Sequence, residues 1–253
     1  MKLVECVPNF SEGRDRGVID TITAEISAVD GAKLLDVDPG EATNRTVVTF
    51  IGTPDAAVEA AFRAIRKAAE VIDMSRHQGE HARMGATDVC PFVPVAGLTM
   101  EDCVELSRRL GKRVGEELGI PVYLYGAAAA RPDRVRLPDI RKGEYEALPE
   151  KLKDPEFKPD FGPAKFNPRA GATAIGGREF LIAWNVNLNT RERKLANKIA
   201  AELRETGKLK RDENNKIVRD ENGKALRVPG RFTHLQGGGW YIEEYGRSQI
   251  SFN

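Results

Sequence analysis

The order in which two hydrophobic periodicities alternate over the first 95 residues restricts this chain more than any other feature. LVECVPNF (residues 3–10) reads as a short strand closing at Pro8-Asn9. RGVIDTITAEISAV (16–29) then places Val18, Ile19, Ile22, Ile26 and Val29 at the spacing of one helix face. Two β-rich runs follow, AKLLDVD (32–38) and RTVVTFIG (45–52), separated by the Pro/Gly/Asn loop PGEATN. Thr53 with Pro54 marks the start of an Ala-rich helix over about 54–72, and VCPFVPV (89–95) makes the next strand. The sequence βαββαβ is the split-βαβ or ferredoxin-like order. Thr99 caps a further helix to about Leu118, and PVYLYG (121–126) adds a strand.

From about Arg131 to Arg178 the chain becomes rich in Pro, Gly, Lys and Asp, with one short helical stretch near 143–152, and reads as a long connecting segment across the surface. FLIAWNVNL (180–188), a helix from Thr190 to about Glu205, and strands over 239–244 and 247–252 repeat a β, α, β, β order. The expectation is an α+β protein of two ferredoxin-like subdomains packed together, residues 1–178 and 179–253, with the second incomplete at its C-terminus. Within the second half, Arg211-Asp-Glu-Asn and Arg219-Asp-Glu-Asn recur eight residues apart, and turns at Asn214-Asn215 and Asn222-Gly223 make a polar hairpin of them.

Charge and composition exclude several classes of partner. With 39 Lys and Arg against 38 Asp and Glu, the net charge of +1 gives no bulk attraction to nucleic acid or anionic lipid. The N-terminus turns polar too soon for a secretory signal, and no apolar run reaches a membrane span, so a cytoplasmic protein is expected. Cys6, Cys90 and Cys103, an odd number without C-x-x-C pairing, fit reduced core thiols.

Three stretches carry candidate chemistry. In MSRHQGEHARMGATDVCP (74–91) His77-Gln-Gly-Glu80-His81 matches H-x-x-E-H, which on a helix would present two zinc ligands and a base. Gly79 and Gly85 each disfavour helix by about 1 kcal/mol, so a loop is expected. Chemistry alone leaves three readings: a zinc site, two structural histidines, or a loop histidine acting as acid or base between Arg76 and Arg83. Asp36 and Asp38 close a strand before a Gly-containing loop, where carboxylates either end the strand in solvent or enter a site. FGPAKFNPRAGATAIGG (161–177) surrounds Lys165 and Arg169 with glycine and proline, as an anion-binding loop or a plain linker would.

Taken together, VECVPNFSEG, LLDVDPGEATNRTV, MSRHQGEHARMGATDVCPFVPV, EELGIPVYLYG, IRKGEYEALPEKL with DFGP, and FLIAWNVNL closely resemble the formiminotransferase domain of the glutamate formimidoyltransferases. The resemblance implies transfer of a formimino group from N-formimino-L-glutamate to N5 of tetrahydrofolate, without a metal. It places the catalytic histidine on His81, not His77, and an acidic site residue on Asp38. The folate-contacting loop falls on Gly162, Pro163, Ala164, Lys165, Phe166, Asn167, Pro168, Arg169, Ala170 and Gly171. Arg45, Arg83, Lys165 and Arg169 are candidates for substrate carboxylates on charge alone. A homodimer at full length and a separate cyclodeaminase as partner are also implied. The rivals are a relative acting on 5-formyltetrahydrofolate, as glutamate formyltransferase or cyclo-ligase, and a non-catalytic folate-binding module.

Overall fold

The computed structural model describes every residue, Met1–Asn253, and the chain divides into two units, Met1–Glu179 and Phe180–Asn253. In the first unit the opening strand is broken at Pro8 into β1 (Leu3–Cys6) and β2 (Asn9–Phe10). Helix α1 (Arg16–Ser27) starts where the Asp15 carboxylate accepts the Val18 N–H, and buries Ile19, Ile22 and Ile26. Strands β3 (Ala32–Gly40) and β4 (Arg45–Gly52) form a hairpin around the expected loop. Helix α2 (Pro54–Val71) begins at Pro54 with Thr53 at the N-cap, although the Thr53 hydroxyl makes no capping bond. After β5 (Thr87–Ala96), α3 (Met100–Leu118) opens on a reciprocal capping box between Thr99 and Asp102 and closes at Gly119 in the left-handed region. Strand β6 (Val122–Gly126) follows.

The segment expected to be a surface connection is more structured than its composition suggests. It holds the short helices α4 (Leu137–Arg141) and α5 (Glu144–Lys151), and then β7 (Thr173–Gly177), which enters the sheet between β5 and β6 and runs parallel to both. β7 has no alternation to read because all five of its residues, TAIGG, are buried. Its glycines are needed for close approach: a Cβ at Gly176 would strike Tyr125 of β6, and one at Gly177 would crowd Met100 and Cys103 of α3.

Across the sheet the order is β3, β4, then β1 and β2 together, β5, β7 and β6. Alternate residues of one face, among them Val4, Cys6, Val48, Phe50, Cys90, Phe92, Val122 and Ile175, form the main core with α1, α2 and α3. On the other face Val89, Tyr123, Tyr125 and Ala174 are covered by Ile140, Leu148 and Leu152 of the α4–α5 region, whereas Asp36 and Asp38 at the β3 end are exposed. All three cysteines are buried free thiols, with Cys6 and Cys90 Sγ atoms 3.5 Å apart.

The second unit contains β8 (Trp184–Asn187), α6 (Arg193–Leu203), the two-residue strands β9 (Lys208–Leu209) and β10 (Arg227–Val228), β11 (Gly237–Ile242) and β12 (Arg247–Phe252). β11, β12 and β8 make an antiparallel sheet under α6, with Ala196, Ala200 and Ile250 at its centre. The Arg-Asp-Glu-Asn repeat becomes two copies of one turn. Asp212 accepts the N–H groups of Asn214 and Lys216, and Asp220 those of Asn222 and Lys224. No helix is long and apolar enough to cross a membrane.

Candidate active site

Four loops meet at the end of the sheet where β2 and β3 finish and β4, β5 and β7 begin, and Asn44 ties three of them. Its side chain accepts the Gly13 N–H (3.0 Å) and donates to the Gln78 carbonyl (2.9 Å), while its own carbonyl accepts from His77 Nε2 (2.8 Å). Asn44 adopts φ 47°, which a short polar side chain tolerates. Residues 162–171 join through paired backbone bonds, Ala86 N–H to Ala170 O (2.9 Å) and Ala172 N–H to Met84 O (3.1 Å). Close approach explains the glycines there. Gly171 takes φ 66°, and a Cβ on it would fall on the Met84 carbonyl.

The H-x-x-E-H segment is irregular loop and not a helix, so its two histidines are not stacked on one helix face. They have different surroundings. His77 donates through Nε2 to Asn44 and accepts at Nδ1 from Arg83 Nε (3.3 Å), so both ring nitrogens are occupied. His81 has both contacts at Nδ1: Arg45 Nη1 at 2.9 Å and the Ala82 carbonyl oxygen at 2.7 Å. A guanidinium only donates and a carbonyl only accepts, so a neutral imidazole satisfies one of them at a time. Nε2 is the nitrogen left for a substrate. Burial, with the nearby Arg45 cation second, pushes the His81 pKa down to about 4, so the ring is neutral at physiological pH.

Behind His81 lies a carboxylate that motif reading passed over. Asp88, 1% exposed, accepts Arg45 Nη1 (2.8 Å), Arg141 Nε (3.2 Å) and Nη2, and the Met84 N–H (3.0 Å). It occupies a β-bulge, since Asn9 pairs with Val89 and Phe10 with Thr87, leaving Asp88 without a partner in the register. A bulge re-aims the side chain it carries. Arg45 is fixed further by Asn9 Oδ1, which accepts from Nε (3.0 Å) and Nη2. The available signal was a lone Asp at the head of the apolar strand VCPFVPV, adjacent to the histidine loop.

The remaining expected site residues divide. Arg83 is buried at the loop and forms hydrogen bonds to Glu144, Glu146, His77 Nδ1 and the His77 carbonyl. Lys165 is exposed without an ion pair, while Arg169 donates to the Glu70 carbonyl at the end of α2 (2.6 Å). Asn167 Oδ1 accepts the N–H groups of Arg169 (3.2 Å) and Ala170 (3.0 Å), Phe166 lies 5.4 Å from the Tyr145 ring, and Gly162, Pro163, Ala164 and Pro168 are exposed. Asp38 stands exposed on β3 opposite Val47, on the open face; the contacts to the His81 ring come from Arg45 and Ala82.

This arrangement, a neutral histidine with one free nitrogen held against a fixed cation between glycine loops, suits proton transfer on a small anionic substrate. The chain belongs to the formiminotransferase domain family: residues 3–178 match the N-terminal subdomain of that domain, and residues 183–253 match the formiminotransferase domain itself. It is 56% identical over 206 residues to a glutamate formimidoyltransferase of Thermoplasma acidophilum, an alignment covering 81% of this chain and 68% of the relative. It is 54% identical over 253 residues to a formimidoyltransferase-cyclodeaminase of Mus musculus and 52% identical to one of Dictyostelium discoideum. All of this chain aligns with those two, and it spans 43% and 44% of their lengths.

Proposed function

We propose that the protein transfers the formimino group of N-formimino-L-glutamate to N5 of tetrahydrofolate, releasing L-glutamate, as a step of histidine degradation. The observation that carries this reading is His81, neutral and with Nε2 unengaged, in a chain whose relatives are named for formimidoyl transfer. N5 attacks the formimidoyl carbon to give a tetrahedral intermediate, and collapse breaks the bond to the glutamate nitrogen. His81 takes the N5 proton at Nε2 and returns one to the departing nitrogen. The tautomer this needs has Nδ1–H donating to the Ala82 carbonyl. A proton on Nε2 gives an imidazolium beside Arg45, and that repulsion favours passing the proton on.

Asp38, exposed at the site end of β3, is assigned to the cationic amidine. Residues 162–171 are assigned to the folate, with Lys165 free to meet a carboxylate. Regions 1–178 and 179–253 are read as two ferredoxin-like subdomains, supported in the first by the order β3, β4, β1–β2, β5. The homodimer, the cytoplasmic setting and delivery of the product to a cyclodeaminase belong to the same reading.

Incubation with formiminoglutamate and tetrahydrofolate, followed by the folate spectrum and by glutamate release, tests it. The expected result is stoichiometric glutamate release with 5-formimidoyltetrahydrofolate formed. Folded protein that turns over only 5-formyltetrahydrofolate with glutamate, or neither donor, would overturn it.

A further inference from the structure

The guanidiniums near His81 differ in how many N–H groups they have left to offer. Each carries five. All five of Arg83 are used, on Glu144, Glu146, His77 Nδ1 and the His77 carbonyl. Arg45 uses four, on Asn9, Asp88 and His81. Arg141 uses two, Nε and one of Nη2, both on Asp88. Asp88 thus takes the side edge of Arg141 and leaves the end-on edge, Nη1 with the second Nη2 N–H, unbonded. This edge belongs to a side chain only 11% exposed.

Charge points the same way. One buried carboxylate faces two guanidiniums, so the Asp88 group taken alone carries one net positive charge, and the only excess negative charge beside the loop lies on Glu144 and Glu146, which are partly exposed and bonded to Arg83. A largely desolvated excess cation with a free planar fork is a receptor for a carboxylate. Arg141 and Arg45 share Asp88 Oδ2, and Arg45 Nη1 touches His81, so the fork lies a few contacts from the imidazole.

We infer that Arg141 receives the α-carboxylate of an N-formimino amino-acid donor through its end-on edge, with Asp88 as the positioning residue that fixes that edge. The inference rests on the transfer reading above. In such a donor the α-carboxylate and the leaving nitrogen are bonded to the same carbon, so gripping one places the other beside His81 Nε2.

The test compares N-formimino-L-glutamate with the N-formimino derivative of 4-aminobutyrate, which lacks only the α-carboxylate, in the wild-type chain and in Arg141→Gln and Arg141→Lys. Loss of a charge-assisted pair predicts KM for formiminoglutamate rising roughly 10- to 100-fold in Arg141→Gln, with KM for tetrahydrofolate moving less than threefold. The wild type should prefer formiminoglutamate by a similar factor, and the preference should collapse toward unity in Arg141→Gln. Arg141→Lys keeps the charge against Asp88, and with it the fold, yet loses the fork; it should fall between the two. Preference retained in both variants, or a KM effect on the folate in place of the donor, would overturn the assignment while leaving the transfer reading standing. A wild-type chain that transfers from neither donor overturns both.

Discussion

Two ion-pair hubs stand against the same histidine loop, and they are built with opposite polarity. At one, a single cation, Arg83, is enclosed by Glu144 and Glu146, whose side chains are 40% and 63% exposed, and by His77; every donor has a partner. At the other, a single anion, Asp88, is enclosed by Arg45 and Arg141, and donors are left over. A fully satisfied hub ties loop 74–86 to helix α5, as the Tyr145 N–H bond to the Arg83 carbonyl also does (2.9 Å). An unsatisfied one retains capacity for a ligand. Each hub has its own histidine, so the inverted polarity also separates the ring with both nitrogens engaged, His77, from the ring with Nε2 unengaged, His81.

Breaking the two histidines in turn gives the largest expected contrast. His81→Ala should lower the transfer rate by roughly 10²- to 10⁴-fold, the usual contribution of a positioned acid–base group. His77→Gln should cost activity less than about tenfold, through looser placement of the loop. Equal losses in steady-state assays would abolish the division of labour.

The hubs themselves come next. Asp88→Ala leaves two guanidiniums buried without their anion and should destabilise folding by about 3–5 kcal/mol in urea titrations. Glu146→Gln removes one partly exposed partner of Arg83 and should cost about 1 kcal/mol or less.

A subtler contrast lies in pH. His81 has a folded pKa of about 4, below its unfolded value, so between these values the unfolded chain binds more protons. Stability should therefore rise with pH through that window and fall on acidification from about 6.5 toward 4. The acid limb of kcat/KM should lie near 4 for the wild type, because protonating the base abolishes attack. Arg45→Met, which removes the cation beside Nδ1, should move that limb upward.

How far each part could be read in advance depends on whether its pattern is local. α1, α2, α3 and the β3–β4 hairpin are visible because amphipathic spacing and cap residues such as Thr99 are set within a few positions. Strand β7 is not, since TAIGG is buried throughout, between β5 and β6 with α3 against it, and so shows no alternation, and two of its five residues are glycine. The break at Pro8, which divides the first strand in two, could be seen only as that strand's end. In the site, Gly79 within H-Q-G-E-H and Gly85 after it point to a loop, which the structure has. Asp88 is not legible in the sequence because its role arises from a bulge against Asn9 and Phe10, nearly eighty residues earlier in the chain. Arg45 and Arg83 looked equivalent as cations, and no sequence rule says that one uses four N–H groups and the other five.

The α+β character, the first helices and strands, and the loops between them are legible in the chain before it folds. These follow from side-chain periodicity, proline and glycine, which act over a turn or a strand. Which cation is free, which histidine is occupied and which carboxylate is buried are set by contacts between distant segments. Those outcomes depend on how donors and acceptors from residues 9, 45, 81, 88 and 141 are shared once water is excluded, and such sharing exists only after distant segments have met.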